Sequence, residues 1–142
     1  MKRTFFSLAL LLAVATLTAQ TKMTAREAAV KIADRILAST TYEFKNTKTG
    51  ETYKSVKKLP LDMDVKVACK YNNWHYTNGV TNMALMELGD KLGDKKYEKY
   101  VLKNMNFVFN EGNLDFFRKQ YDEAFKRDGW NAVRKLSWHM IF

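Results

Sequence analysis

Thr77-Asn78-Gly79-Val80-Thr81-Asn82-Met83-Ala84-Leu85-Met86-Glu87-Leu88-Gly89-Asp90-Lys91-Leu92-Gly93-Asp94-Lys95-Lys96-Tyr97 is the stretch that decides the fold. Val80, Met83, Ala84, Met86, Leu88 and Leu92 recur at helical spacing and are expected to face inward on a helix that begins near Thr77 or Asn78. Gly93 supplies the left-handed residue that stops a helix, and Asp94 can cap the next one. That next helix would show Tyr97, Val101, Met105 and Val108 as one stripe. Helix, two-residue stop, helix predicts a helical hairpin.

Outward from this hairpin, Thr24-Ala25-Arg26-Glu27 is a capping box, followed by Ala28, Ala29, Ile32, Ala33, Ile36 and Leu37 at helical spacing. A first helix is expected from about Thr24 to Ser39. Between Tyr42 and Tyr71 the pattern changes: Thr49-Gly50 signals a turn, and Val65, Val67 and Cys69 alternate, so a loop with a small hairpin is expected. A loop of this length inside a compact domain usually covers or lines a site. Downstream, Asn113 could cap a short helix holding Phe116, Phe117, Tyr121 and Phe125. Gly129 should break it, and a last helix should start near Trp130 with Val133, Leu136 and the apolar Met140-Ile141-Phe142. That final run carries no cap or turn, and the reading is of a truncated piece.

The chain has 142 residues, one proline and six glycines, which favours an all-α class and at most one domain. One cysteine excludes a disulfide framework, and Cys69 with His75 and His139 cannot complete a four-ligand zinc site without carboxylates, so no metal or cofactor is expected. The formal charge is +9, from 24 Lys+Arg against 15 Asp+Glu. Lys91, Lys95, Lys96, Lys99 and Lys103 alternate with Asp90, Asp94 and Glu98, the pattern of a solvated helix face with local ion pairs. This argues against nucleic acid as a partner.

Met1-Lys2-Arg3, the apolar Phe5 to Val14 and the small Ala19 before Gln20 read as a secretory signal peptide, residues 1–19. The apolar run is short for a membrane span. Export to the periplasm or beyond is expected, with residues 20–142 as the mature chain and no membrane span.

Trp74, His75 and Tyr76 precede the second helix, where backbone amides point outward and the dipole favours an anion. Aromatic rings there can stack on a sugar, and Tyr and His can donate hydrogen bonds. The plainer reading is that Trp74 seals the helix start. Gly79 fits either a close approach or a tolerated helix residue. Asp62 and Asp64 could bind a cation but suit a solvated loop, and Asp122 and Glu123 diverge on a helix. Asp90, Asp94, Asp115 and Asp128 are explained by helix ends. His139 beside Trp138 reads as a core histidine and Cys69 as a buried thiol.

Trp74-His75-Tyr76-Thr77-Asn78-Gly79-Val80, Met86-Glu87-Leu88-Gly89 and Gly93-Asp94-Lys95-Lys96-Tyr97, with Asp64-Val65-Lys66 upstream, resemble the N-terminal part of bacterial glycoside hydrolases of families 88 and 105. The likeness is greatest to the unsaturated rhamnogalacturonyl hydrolases of family 105. It implies the first helical hairpins of an (α/α)6 barrel, and as substrate an unsaturated uronyl oligosaccharide derived from pectin. In such enzymes an aspartic acid protonates the C4=C5 double bond of the uronate and water adds at C5. The hemiketal then opens and expels the partner sugar. The family's aspartates lie beyond the matched segment, so no catalytic residue is assigned here; the substrate-binding candidates are Tyr76, Trp74 and His75. The alternative is a small non-catalytic helical protein that binds carbohydrate or an envelope partner.

Overall fold

The computed structural model describes residues 23–61, 64–73 and 75–134. The leader at 1–19, Asp62, Trp74, and Leu136, Trp138, His139 and Met140-Ile141-Phe142 fall outside these residues. The described chain is mostly helical, with a small three-stranded sheet. Two compact units meet in sequence within the first helix, one ending at Lys31 and the other beginning at Ile32.

In the first unit, helix α1 (Ala25–Ser39) starts at the expected capping box. The Glu27 amide donates to Thr24 Oγ1 at 3.2 Å, and the Thr24 amide donates back to Glu27 Oε2 at 2.8 Å. Two donors that a helix start leaves without partners are satisfied reciprocally.

In the second unit, the later turns of α1 bury Ala33, while Ile32, part of the same helically spaced set, is 62% exposed. The segment after α1 forms strand β1 (Phe44–Asn46), strand β2 (Thr52–Tyr53), a 3-10 turn (Val56–Lys58) and strand β3 (Val65–Val67). The order is β2-β1-β3, antiparallel throughout, with Phe44 opposite Tyr53 and Val67. The expected turn is present: Asn46 Oδ1 accepts the amides of Lys48 and Thr49, and Gly50 takes φ +80°. An all-α reading therefore needs this sheet added. Phe44 and Val65 pack on Phe116 and Phe117, so the sheet is stable only because a helix covers its apolar face.

Helix α2 (Tyr76–Leu92) and helix α3 (Lys95–Val108) form the expected hairpin. Gly93 lies at φ +66°, and Asp94 Oδ1 accepts the Lys96 amide at 3.0 Å. The two helices bury the same register. On α2 the buried residues are Asn78, Asn82, Leu85 and Gly89; on α3 they include Tyr97, Val101, Asn104 and Val108. This overturns the inward face expected for α2. Val80 and Met83 are 60% and 73% exposed, while Met86, Leu88 and Leu92 pack at the edge of the core around Leu85 and Tyr97. The stripe expected on α3 stands. Close approach falls at Gly89, where an added Cβ would lie 3.2 Å from the Asp94 carbonyl oxygen and 3.3 Å from Tyr97 Cβ. At Gly79 an added Cβ would meet open space.

Helix α4 (Glu111–Val133) is capped by Asn110, whose Oδ1 accepts the Asn113 amide at 3.2 Å. Asn113, the expected cap, is buried and donates from its own side chain to the Phe107 carbonyl at 2.8 Å. The helix is kinked at Asp128 and Gly129, the latter at φ +51° and ψ −141°, a conformation that suits glycine. Beyond the kink Ala132 and Val133 close on Ala124, so Val133 is interior.

A candidate ligand cleft at the open end of the hairpin

Residues 68–73 have no regular structure after β3, so their backbone carbonyls need partners from elsewhere. Buried asparagines supply them. Asn104 on α3 donates to the Tyr71 carbonyl at 3.1 Å, and Asn78 on α2 reaches the carbonyls of Lys70 and Asn73 at 2.9 and 3.0 Å. Asn72 turns the other way and donates to the Thr41 carbonyl at 2.6 Å. Asn82 accepts from Asn104 across the hairpin at 3.1 Å.

These amides surround a cavity of about 440 Å3 where α2 begins and α3 ends. Its polar wall is Asn72, Asn73, Asn78, Asn82 and Asn104; its apolar wall is Met105, Val108 and Phe109. His75, Tyr76 and Gly79 complete the lining. The His75 and Tyr76 rings lie 5.1 Å apart at 31° to each other, and Tyr76 is 71% exposed. His75 Nδ1 is 2.8 Å from Thr77 Oγ1, which fixes the imidazole beside the helix start. Two of the three binding residues expected from sequence, Tyr76 and His75, therefore share one cavity; the third, Trp74, lies outside the described residues.

Asn72 and Asn104 are fully buried, and the side-chain oxygen of each has no hydrogen-bond partner. A buried acceptor left unpaired costs about 1–3 kcal/mol, and both oxygens are enclosed by protein atoms. None of the described lining residues is a carboxylate, a lysine or an arginine. The α2 dipole favours an anion by only about 0.3–1 kcal/mol. Taking a carboxylate out of water costs several kcal/mol. The lining can therefore bind through amides and rings but offers no carboxyl group for acid catalysis. Among the described residues no three His, Cys, Asp or Glu side chains converge on a metal position, and no helix is long and apolar enough to cross a membrane.

The sequence reading missed Asn72, Asn82 and Asn104. The available signal was spacing: Asn78 and Asn82 fall four apart in register with Leu85 and Gly89, and Asn104 falls in register with Tyr97, Val101 and Val108.

Comparison with protein-family models, with curated proteins and with solved structures gives no match to this chain.

Proposed function

We propose that the chain binds a carbohydrate in the cleft between α2 and α3. The observation that carries this reading is the pairing of exposed Tyr76, beside His75, with a wall of five asparagines around one cavity. Flat rings meet the C–H face of a sugar, and amides meet its hydroxyls as both donors and acceptors. On this reading the chain recognises its ligand without transforming it.

A second reading keeps the resemblance to the unsaturated uronyl hydrolases, with this chain as the part that holds the sugar while the acid comes from outside the described residues. The hairpin through Gly93 and Asp94, with Tyr76 at its open end, favours it.

Titrating the full chain with unsaturated uronyl oligosaccharides from pectin tests both readings. Amide resonances of residues 72–79 and 104–109 should shift, and Tyr76→Ala should weaken binding by roughly tenfold through loss of one stacking contact. Shifts without loss of the unsaturated-uronate absorbance support binding alone, and protein-dependent loss of that absorbance supports the hydrolase. No localised shift with any oligosaccharide rejects the cleft as a carbohydrate site. We also propose that residues 1–19 direct export with cleavage after Ala19; N-terminal sequencing of exported material should then begin Gln20-Thr21-Lys22.

A further inference from the structure

We infer that the exposed face of α2 is a contact for a second copy of this chain, the two α2 helices packing antiparallel about the midpoint between Val80 and Met83. Tyr76, Val80, Met83, Glu87 and Asp90 follow one another by four, three, four and three residues, the alternation along which two helices interlock. All five are exposed. They lie on the side of α2 away from Asn78, Asn82, Leu85 and Gly89, which the fold buries. Val80 and Met83 are the apolar centre of the stripe. Beside them Gly79 and Ala84, both exposed, are small enough to let two backbones approach. The inference does not depend on what the cleft binds.

The charge pattern chooses the occupant and its direction. The cap of α2, His75, makes no side-chain capping bond and the first turn holds no acidic residue, so the positive end of the helix dipole is unmatched. The other half of the same stripe carries two carboxylates, Glu87 and Asp90. Antiparallel pairing sets Val80 against Met83 of the second copy in two central layers, and Tyr76 against Glu87 of the second copy in the two outer ones. Each acidic half thus meets the other helix at its uncapped end. The Tyr76 hydroxyl can then donate to Glu87 Oε2, since Oε1 is the oxygen that takes Lys91 at 2.7 Å. Parallel pairing stacks Glu87 on Glu87 and Asp90 on Asp90, which is repulsive. The same two carboxylates repel an anionic membrane surface. Two apolar layers bury well under the roughly 800 Å2 per partner of a stable complex. The dimer is therefore weak, with a dissociation constant of about 0.1–1 mM.

The test follows the diffusion of the full chain by NMR from roughly 10 μM to 2 mM, a range that spans this affinity. A reversible monomer–dimer equilibrium is expected. Met83→Glu, at a position open to solvent, should abolish it while leaving the circular dichroism unchanged. Direction is read in a mixed sample. A spin label on Asp90→Cys, in a natural-abundance Cys69→Ala chain, should broaden the amide resonances of residues 73–77 in the isotopically labelled chain mixed with it. A chain that stays monomeric throughout the range overturns the inference. Association untouched by Met83→Glu overturns it as well, because another surface, such as the exposed Phe125 and Trp130, then joins the copies. Broadening centred on residues 87–91 overturns it too, for the helices then run parallel.

Discussion

Two glycines on one helix have opposite roles. Gly79 points to open space, so Gly79→Ala should stabilise the fold by about 0.5–1 kcal/mol through helix propensity alone. Gly89 faces the Asp94 backbone and buried Tyr97, neither of which can yield cheaply, so Gly89→Ala should cost about 1–3 kcal/mol. Urea denaturation of the pair checks both signs. Tyr42 offers a pH test. Its hydroxyl is buried without a hydrogen-bond partner, and burial first, then Tyr100 and Cys69, pushes its pKa up to about 12. The folded state holds the phenolic proton more tightly than the unfolded chain. This contribution is therefore complete below about pH 10, the ordinary tyrosine value, and is lost as pH climbs toward 12. Tyr42→Phe should flatten that alkaline loss in a pH series of melting curves. At pH 7 it should change stability by less than about 1 kcal/mol, because no hydrogen bond is removed. The contact of Lys103 Nζ, 4.2 Å from the ring centroid, needs only the ring.

At the scale of elements, the α2–α3 seam is aligned by one polar pair, Asn82 with Asn104. A buried amide pair gives up some stability for a unique register, as a single asparagine does in a coiled coil. Asn82→Leu should cost about 1–2 kcal/mol. Asn104→Leu should cost more, because the Tyr71 carbonyl loses its donor as well. The double variant should cost less than the two single costs combined, which a double-mutant cycle in urea measures. The same seam shows how far the sequence could be read. Gly93-Asp94 is local turn chemistry, and the hairpin it makes was legible, as was the capping box at Thr24. The face of α2 was not. Its apolar residues spread around the helix, and a rule that counts apolar side chains turned Val80 and Met83 inward. The interior instead needed Asn78, whose amide satisfies the Lys70 and Asn73 carbonyls of the irregular segment, and Asn82, which accepts from the Asn104 amide that satisfies the Tyr71 carbonyl. The need arises from tertiary placement. Likewise Asn113 has the composition of a cap, but Asn110 takes that place and Asn113 is spent on the Phe107 carbonyl. Of the cleft, the rim residues Tyr76 and His75 were legible and the amide wall was not.

At the scale of the whole second unit, three apolar clusters are built separately: Leu85 with Tyr97 in the hairpin, Phe44 with Phe117 between sheet and α4, and Ala124 with Ala132 and Val133 across the kink of α4. Phe107 belongs to α3 but stacks on Phe44 at 5.3 Å and meets Tyr42 edge-on at 5.5 Å. It is thus a side chain through which the hairpin holds the sheet. Phe107→Ala should cost about 2–4 kcal/mol, less than a fully buried phenylalanine at the upper end of that range. Its more telling effect should be on cooperativity. Native-state hydrogen exchange should show β1 and α4 opening at lower free energy than α2 and α3, whereas in the unaltered protein the four should open together.

The hydrogen bonds of Asn78 also bear on how the protein ages. Asn78 is followed by Gly79, the unhindered neighbour that lets a backbone nitrogen attack the side-chain carbonyl carbon, expel ammonia and close a succinimide that water reopens to aspartate or isoaspartate. In the folded chain that amide is held by Lys70 and Asn73 and its backbone is helical, so the attacking geometry is withheld. Each excursion to the unfolded state removes the protection. Thermal unfolding should therefore become progressively less reversible with time spent hot, as a negative charge accumulates at residue 78 where the loop carbonyls need a donor.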